Sequence, residues 1–439
     1  MRIQIKDKKN FITMFNDLFE NNQINDINGI SIDSRKIHKN DIYIPIKGEN
    51  FDGHDYINQA IDLGAIKCFS EIHKDNTIKI DSSINLIKKI SKEWSKRSNH
   101  IIIGITGSNG KTTTKELLFS ILNENNSCYK SIGNYNSSIG LPISYLSSSK
   151  DDKFCIIEYG ASKPDEIKKL CQIIKPNISL ITNVSNAHIK NYKSTSDIYN
   201  TKKAIFECLE NDDIAFVNLD DDYIKKSIIP SKKITYSFKQ DAKYVGANCQ
   251  GSNIIINDKK IKIKDDLLHL KNIILPVYAI CNELGVNHKD INKIIQKFQL
   301  PKGRGEKIYI DQIEIIDDSY NANPASVVLA IERFNSIISK GNKIFILGDM
   351  LELGTESKKE HSKIGNFFNK KKINIVITYG NKSIHAYNYI NNKNIKKYHF
   401  KKMHDLKICL KKNIKKNDTI YLKGSRGMNL EKIYEKGLA

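Results

Sequence analysis

The sequence has no Cys-x-x-Cys pair. Its eight cysteines, Cys68, Cys128, Cys155, Cys171, Cys208, Cys249, Cys281 and Cys409, stand apart, several of them in apolar runs. That argues against a disulfide framework or a zinc site and predicts small buried thiols in a reducing compartment. No apolar run approaches the ~18 residues that a membrane-spanning helix needs, so no span is expected. Met1 to Asn10 is polar and lacks the apolar core of a signal peptide, and a cytoplasmic protein is expected. Tryptophan occurs once, at Trp94. Arg-rich and basic-aromatic clusters are missing too. Lys plus Arg number 70 against 49 Asp plus Glu, a formal net charge of +21, but the lysines are spread evenly. Such an excess predicts a general field attractive to anionic substrates, with no nucleic acid as partner.

What is present begins with length. The 439 residues allow about three domains of ~150 residues each. The strongest signal is Gly104-Ile105-Thr106-Gly107-Ser108-Asn109-Gly110-Lys111-Thr112-Thr113. It follows the β-branched run Ile101-Ile102-Ile103 and precedes Lys115 to Leu122, which has helical spacing. Strand, glycine turn and helix are the setting of a phosphate loop. Backbone N–H groups can approach phosphate there, and the helix N-terminus adds partial positive charge. Gly107, Ser108, Asn109, Gly110, Lys111, Thr112 and Thr113 are therefore the ATP-binding candidates. Lys111 would reach the β- and γ-phosphates, and Thr112 would set its hydroxyl on Mg²⁺. The loop is a variant: position 105 is Ile where the common form has Gly, and the glycine sits at 107.

Phe154 to Glu158, Ile178 to Thr182 and Ile214 to Asn218 are apolar runs that end in polar residues. They suit a parallel sheet covered by helices, with ligands at the carboxyl ends of the strands. Glu158 lies at such an end and can hold the metal that bridges ATP phosphates. Upstream, Ile30 to Ile32, Ile42 to Ile46 and Ile66 to Phe69 read as short strands of a first α/β unit, residues 1–98. The polar stretch Ser91 to His100 reads as the passage into a central parallel-sheet domain, 99–299. A third, Rossmann-like domain is expected over 300–439, with strands at Ile313 to Asp317, Lys343 to Gly348, Asn374 to Tyr379 and Asp418 to Lys423.

The loop variant Thr106-Gly107-Ser108-Asn109-Gly110-Lys111-Thr112 resembles that of the Mur ligases. So do Asp33-Ser34-Arg35, the segment Lys47-Gly48 through Asp52-Gly53-His54, Gly133-Asn134-Tyr135-Asn136 through Pro142, and Pro301-Lys302-Gly303-Arg304. The resemblance covers the chain and implies three α/β domains: a UDP-substrate domain, a phosphate-loop ATP domain and a C-terminal Rossmann-like domain. It implies that Ser34 and Arg35 lie near the uridine diphosphate of a substrate. Asn134 and Asn136 would contact its muramoyl or peptide part. His188 would bind metal with Thr112 and Glu158. Lys202, four residues before Phe206, would carry a CO₂-derived carbamate, in preference to its neighbour Lys203. Arg304 would reach an ATP phosphate across a domain cleft, and Asp318 and Asn321 would sit near ATP. Asn272 would keep an adenine-side contact, although Leu270 to Ile280 lacks the His and second Asn of the family pattern.

Asp317-Asp318-Ser319-Tyr320-Asn321-Ala322-Asn323-Pro324 narrows the resemblance to the member that adds D-alanyl-D-alanine to UDP-N-acetylmuramoyl-tripeptide. ATP would phosphorylate the terminal carboxylate of the tripeptide, and the dipeptide amine would then attack the acyl phosphate. Lys111, Lys202, His188 and Arg304 are the implied catalytic set, and a monomer is the simpler expectation. Two alternatives stay open: addition of a different residue to the UDP-muramoyl peptide, and nucleotide-dependent binding without ligation.

Overall fold

Short β-branched strands alternate with amphipathic helices along the chain, and the fold follows that alternation. The structure is a computed structural model that describes residues 1–185, 191–248, 253–435 and 437–438. Two compact units result. One comprises Met1–Thr182, Asn200–Lys262 and Ile273–Ile295; the other comprises Asn183–Tyr199, Ile263–Asn272 and Gln296–Ala439.

The first unit holds two sheets. The smaller runs Arg2–Gln4, Gly29–Ser31, Asp41–Tyr43, Lys67–Ser70, Ile78–Lys79, antiparallel at the first pair and parallel thereafter. The larger is nine-stranded, in the order Lys259–Lys262, Asn253–Ile256, Tyr244–Asn248, Lys232–Ser237, Ile214–Asn218, Ile178–Ile181, Ile101–Thr106, Phe154–Glu158, Cys128–Lys130. Its central strands are buried along nearly their whole length, which is why they read as unbroken apolar runs. Asn253–Ile256 and Lys259–Lys262 instead form an antiparallel hairpin with alternating burial. Its turn, Asn257-Asp258, has both residues at positive φ, as a tight hairpin requires. Ile101–Thr106 lies between Phe154–Glu158 and Ile178–Ile181, where the order of strands reverses. The carboxyl end of that strand is the crevice where open α/β sheets bind ligands.

The polar stretch Ser91 to His100 is helical over most of its length. Ser83–Arg97 is one helix, started by Ser82, whose hydroxyl accepts from Asn85 N–H at 3.3 Å. Leu86, Ile87, Ile90 and Trp94 form its buried stripe at three- and four-residue spacing, which the intervening lysines obscure. The Ser91 hydroxyl donates to the Pro142 carbonyl (2.9 Å) and Trp94 Nε1 to Ser148 Oγ (3.0 Å), so this helix packs on the layer beside the large sheet.

The second unit holds a six-stranded sheet ordered Glu306–Ile310, Ile313–Asp318, Thr419–Lys423, Lys343–Gly348, Ile375–Tyr379, Lys396–Phe400, antiparallel only at the first pair. Alternate residues of Lys343–Gly348 feed two cores: Phe345 packs with Phe334, Phe368 and Tyr421, while Ile344 and Ile346 pack with Ile377 and Leu422. Helix Pro324–Ser336 starts at Asn323, which forms a capping box with Ser326, and Pro324 stands at its first position. Among the described residues, no helix is long and apolar enough to cross a membrane.

Candidate active site

The site grows from the turn after Ile101–Thr106. Gly107 has φ +146, and a Cβ there would lie 1.9 Å from Thr182 Oγ1. That hydroxyl donates to the Asn109 carbonyl at 2.6 Å, tying the turn to the end of the neighbouring strand. Gly110, at φ +85, ends the turn and precedes helix Lys111–Leu122. The turn therefore needs glycine at both places, once for close approach and once for a left-handed backbone. Lys111 opens the helix and folds back, its ammonium donating to the Gly107 carbonyl at 2.8 Å. Ser108 and Thr113 are buried.

Glu158, at the end of the adjacent strand, is 3% exposed. Its Oε2 accepts from the Thr112 hydroxyl and its Oε1 from the Asn136 amide, both at 2.9 Å. A hydroxyl and a carboxylate that converge beside a phosphate loop are hard oxygen donors of the kind Mg²⁺ takes, so these residues fit that ion. Among the described residues no group of three or more His, Cys, Asp or Glu could hold a metal. His188 lies outside the described residues. Asn136 thus reaches the expected metal carboxylate, while Asn134 is exposed on the same loop.

Lys202 and Lys203 separate cleanly on helix Thr195–Glu207. Lys203 is paired with Glu207 at 3.0 Å on the solvated side. Lys202 is 4% exposed, and burial, with the nearby Lys111 charge, lowers its pKa to about 7. One residue that sequence reasoning missed is Lys115, fully buried one turn beyond Lys111, with its ammonium on the Ser131 and Gly133 carbonyls. The signal available was a lysine on the apolar side of a short helix.

In the small sheet, Ser34 is buried and donates to Gln59 Oε1 at 2.8 Å. Arg35 is exposed and paired in bidentate fashion with Asp33 at 2.8 and 3.0 Å, which holds the Asp33 carboxyl below its usual range. His54 accepts from Glu71 N–H through Nε2, so its Nδ1 carries the proton shared with Asp52 at 2.5 Å.

In the second unit Arg304 stacks on the Tyr320 ring, 3.8 Å from its centroid. Asp318 accepts from Lys423 Nζ at 2.8 Å and from Tyr421 OH at 3.2 Å. Asn321 accepts from Ala322 N–H, and Asn272 is exposed near the start of helix Lys271–Glu283. Lys423 and Asp349, not singled out individually from sequence, anchor loops at the same strand edge. Asp349 accepts three consecutive N–H groups, from Asn381, Lys382 and Ser383, at 2.7–3.0 Å.

A glycine loop at a sheet's switch point, a lysine at the helix start and a threonine–carboxylate pair define a phosphate-loop α/β protein. Comparison with known proteins sharpens this. Residues 26–102 match the Mur ligase family catalytic domain, 105–286 the Mur ligase middle domain and 303–426 the Mur ligase glutamate ligase domain. The chain belongs to the Mur ligase family. It is 34% identical to the UDP-N-acetylmuramoyl-tripeptide–D-alanyl-D-alanine ligase of Rickettsia prowazekii, covering 93% of this chain and 94% of that protein. It is 30% identical to the enzyme of that name from Bacillus subtilis, with 93% and 92% covered. The crystal structure of MurF ligase from Thermotoga maritima in complex with ADP superposes with a TM-score of 0.80 at 26% identity, covering 93% and 96% of the two chains. MurF from Acinetobacter baumannii shares the fold, with a TM-score of 0.86 at 22% identity over 97% and 98%.

Proposed function

We propose that the chain is an ATP-dependent ligase that joins D-alanyl-D-alanine to UDP-N-acetylmuramoyl-tripeptide in peptidoglycan precursor synthesis. The observation that carries this is the convergence of Lys111, the Thr112–Glu158 pair and buried Lys202 on one phosphate loop, in a chain that matches a ligase of that name over 93% of its length. ADP in the Thermotoga maritima relative supports adenine nucleotide as the co-substrate.

Amide formation needs a leaving group better than oxide. The terminal carboxylate of the tripeptide attacks the γ-phosphorus of ATP, ADP departs, and an acyl phosphate remains. The dipeptide amine then attacks the acyl carbon, phosphate leaves with the C–O bond electrons, and the nitrogen gives up one proton, taken up by the departing phosphate or solvent. Lys111 and Arg304 offset the repulsion between the two anions of the first step. Thr112, Glu158 and His188 would hold Mg²⁺, which supplies charge neutralisation at the phosphates. Lys202 is neutral in a good fraction of molecules near pH 7, the state that reacts with CO₂. Its carbamate would replace a repulsive cation beside Lys111 with an anion. Gly107, Ser108, Asn109, Gly110 and Thr113 would cradle phosphate, Asn272 would keep an adenine-side contact, and Asp318 and Asn321 would lie near ATP. Ser34, Arg35, Asn134 and Asn136 would hold the UDP-linked substrate.

The proposed domains are 1–98, 99–299 and 300–439, in a monomer of the cytoplasm that binds no nucleic acid. Phosphate release with UDP-N-acetylmuramoyl-tripeptide tests the reading. D-alanyl-D-alanine should drive it where single amino acids do not. Release that needs no acceptor at all would favour a nucleotide-dependent binding protein instead.

A further inference from the structure

Helix Lys111–Leu122 carries two lysines one turn apart, and the second has no role in the chemistry described above. Lys115 is 0% exposed. Burying an ammonium is costly unless its protons meet acceptors, and an aliphatic residue would fill the same space without that cost. Here the acceptors are backbone carbonyls of another segment: Ser131 at 2.8 Å and Gly133 at 3.2 Å, with the Glu116 carboxylate at 3.4 Å. The segment 131–136 is itself bound to the strand that ends in Glu158. Glu158 N–H donates to Ser131 Oγ at 3.1 Å, and Asn136 donates to Glu158 Oε1 at 2.9 Å. Gly160 N–H donates to the Asn136 carbonyl at 2.9 Å. Glu158 in turn accepts from Thr112, on the same helix as Lys115. A closed ring therefore links helix, loop 131–136 and metal carboxylate, and Lys115 makes the helix-to-loop link.

We propose that Lys115 is a positioning residue that couples the phosphate loop to the substrate loop 131–136; this rests on the ligase reading, in which Asn134 and Asn136 touch the UDP-linked substrate. Occupation of the phosphate loop fixes the first turn of the helix, and the ammonium carries that constraint to the carbonyls that shape the substrate loop.

The test compares wild type with Lys115→Met in the full chain, measuring ADP binding with Mg²⁺ and KM for UDP-N-acetylmuramoyl-tripeptide. KM should rise about tenfold or more, while ADP affinity stays within about threefold. An unchanged KM overturns the proposal, as does a loss of ADP affinity in step with KM. If Lys115→Met does not fold, hydrogen exchange on the wild type decides. An ATP analogue with Mg²⁺ should slow exchange of the Ser131 and Gly160 amides, and no slowing overturns the coupling. A wild-type protein that binds no nucleotide would instead sink the ligase reading, so the two failures are distinguishable.

Discussion

Lys202 is the residue on which environment acts most strongly. Its pKa falls from 10.5 to about 7 through burial and the Lys111 charge. Between those values the unfolded chain holds a proton that the folded chain has released, so stability rises with pH across that window. Below about pH 7 the buried ammonium carries its full cost. Lys202→Met should therefore stabilise the protein by roughly 2–5 kcal/mol at pH 6, with the gain fading towards pH 10, while abolishing ligation. Urea melts at several pH values check the sign. In wild type, ¹³C-bicarbonate should give a carbamate signal that strengthens above pH 7 and is absent in Lys202→Met. Lys111→Ala removes a cation aimed at phosphate, and kcat/KM should fall by about 10²–10³-fold or more. Peptide-bond formation at the wild-type rate in that variant would contradict its role.

At the scale of elements, the turn 107–110 and the helix Ser83–Arg97 make opposite demands. The turn needs the absence of a side chain: a Cβ on Gly107 would overlap Thr182 Oγ1. Gly107→Ala should cost about 1–3 kcal/mol of stability and weaken ADP binding, as calorimetry would show. The helix needs the presence of one. Trp94 is fully buried against Phe11 and bonded to Ser148. Trp94→Ala should destabilise by about 3–5 kcal/mol, read from urea melts by circular dichroism. The central strands were legible because burial on both faces leaves continuous apolar runs. Glu306–Ile310 and Lys396–Phe400 were not, since both flank their sheet with half-exposed, lysine-bearing sequences. The end of helix Ser83–Arg97 does not show in the sequence for a similar reason: over 91–97 four charged residues sit around one buried tryptophan.

For the whole molecule, the net charge of +21 is spread over a surface rich in lysine. Two of the three substrates of the proposed reaction, ATP and UDP-N-acetylmuramoyl-tripeptide, are polyanions. Their KM values should rise a few-fold between low and ~0.5 M salt as the field is screened, with kcat little changed. A salt-independent KM would mean that the excess charge plays no part in substrate capture.

The order of residues alone settled the alternation of strands and helices, the phosphate loop and the likeness to one family, because each depends on neighbours along the chain. Tertiary structure alone showed that Lys202, preferred to Lys203 on the resemblance, is the buried one of the pair, brought Asn136 to Glu158 and placed Lys115 inside the fold. Whether a charge meets water or a carbonyl depends on segments distant in sequence, and no local pattern records that.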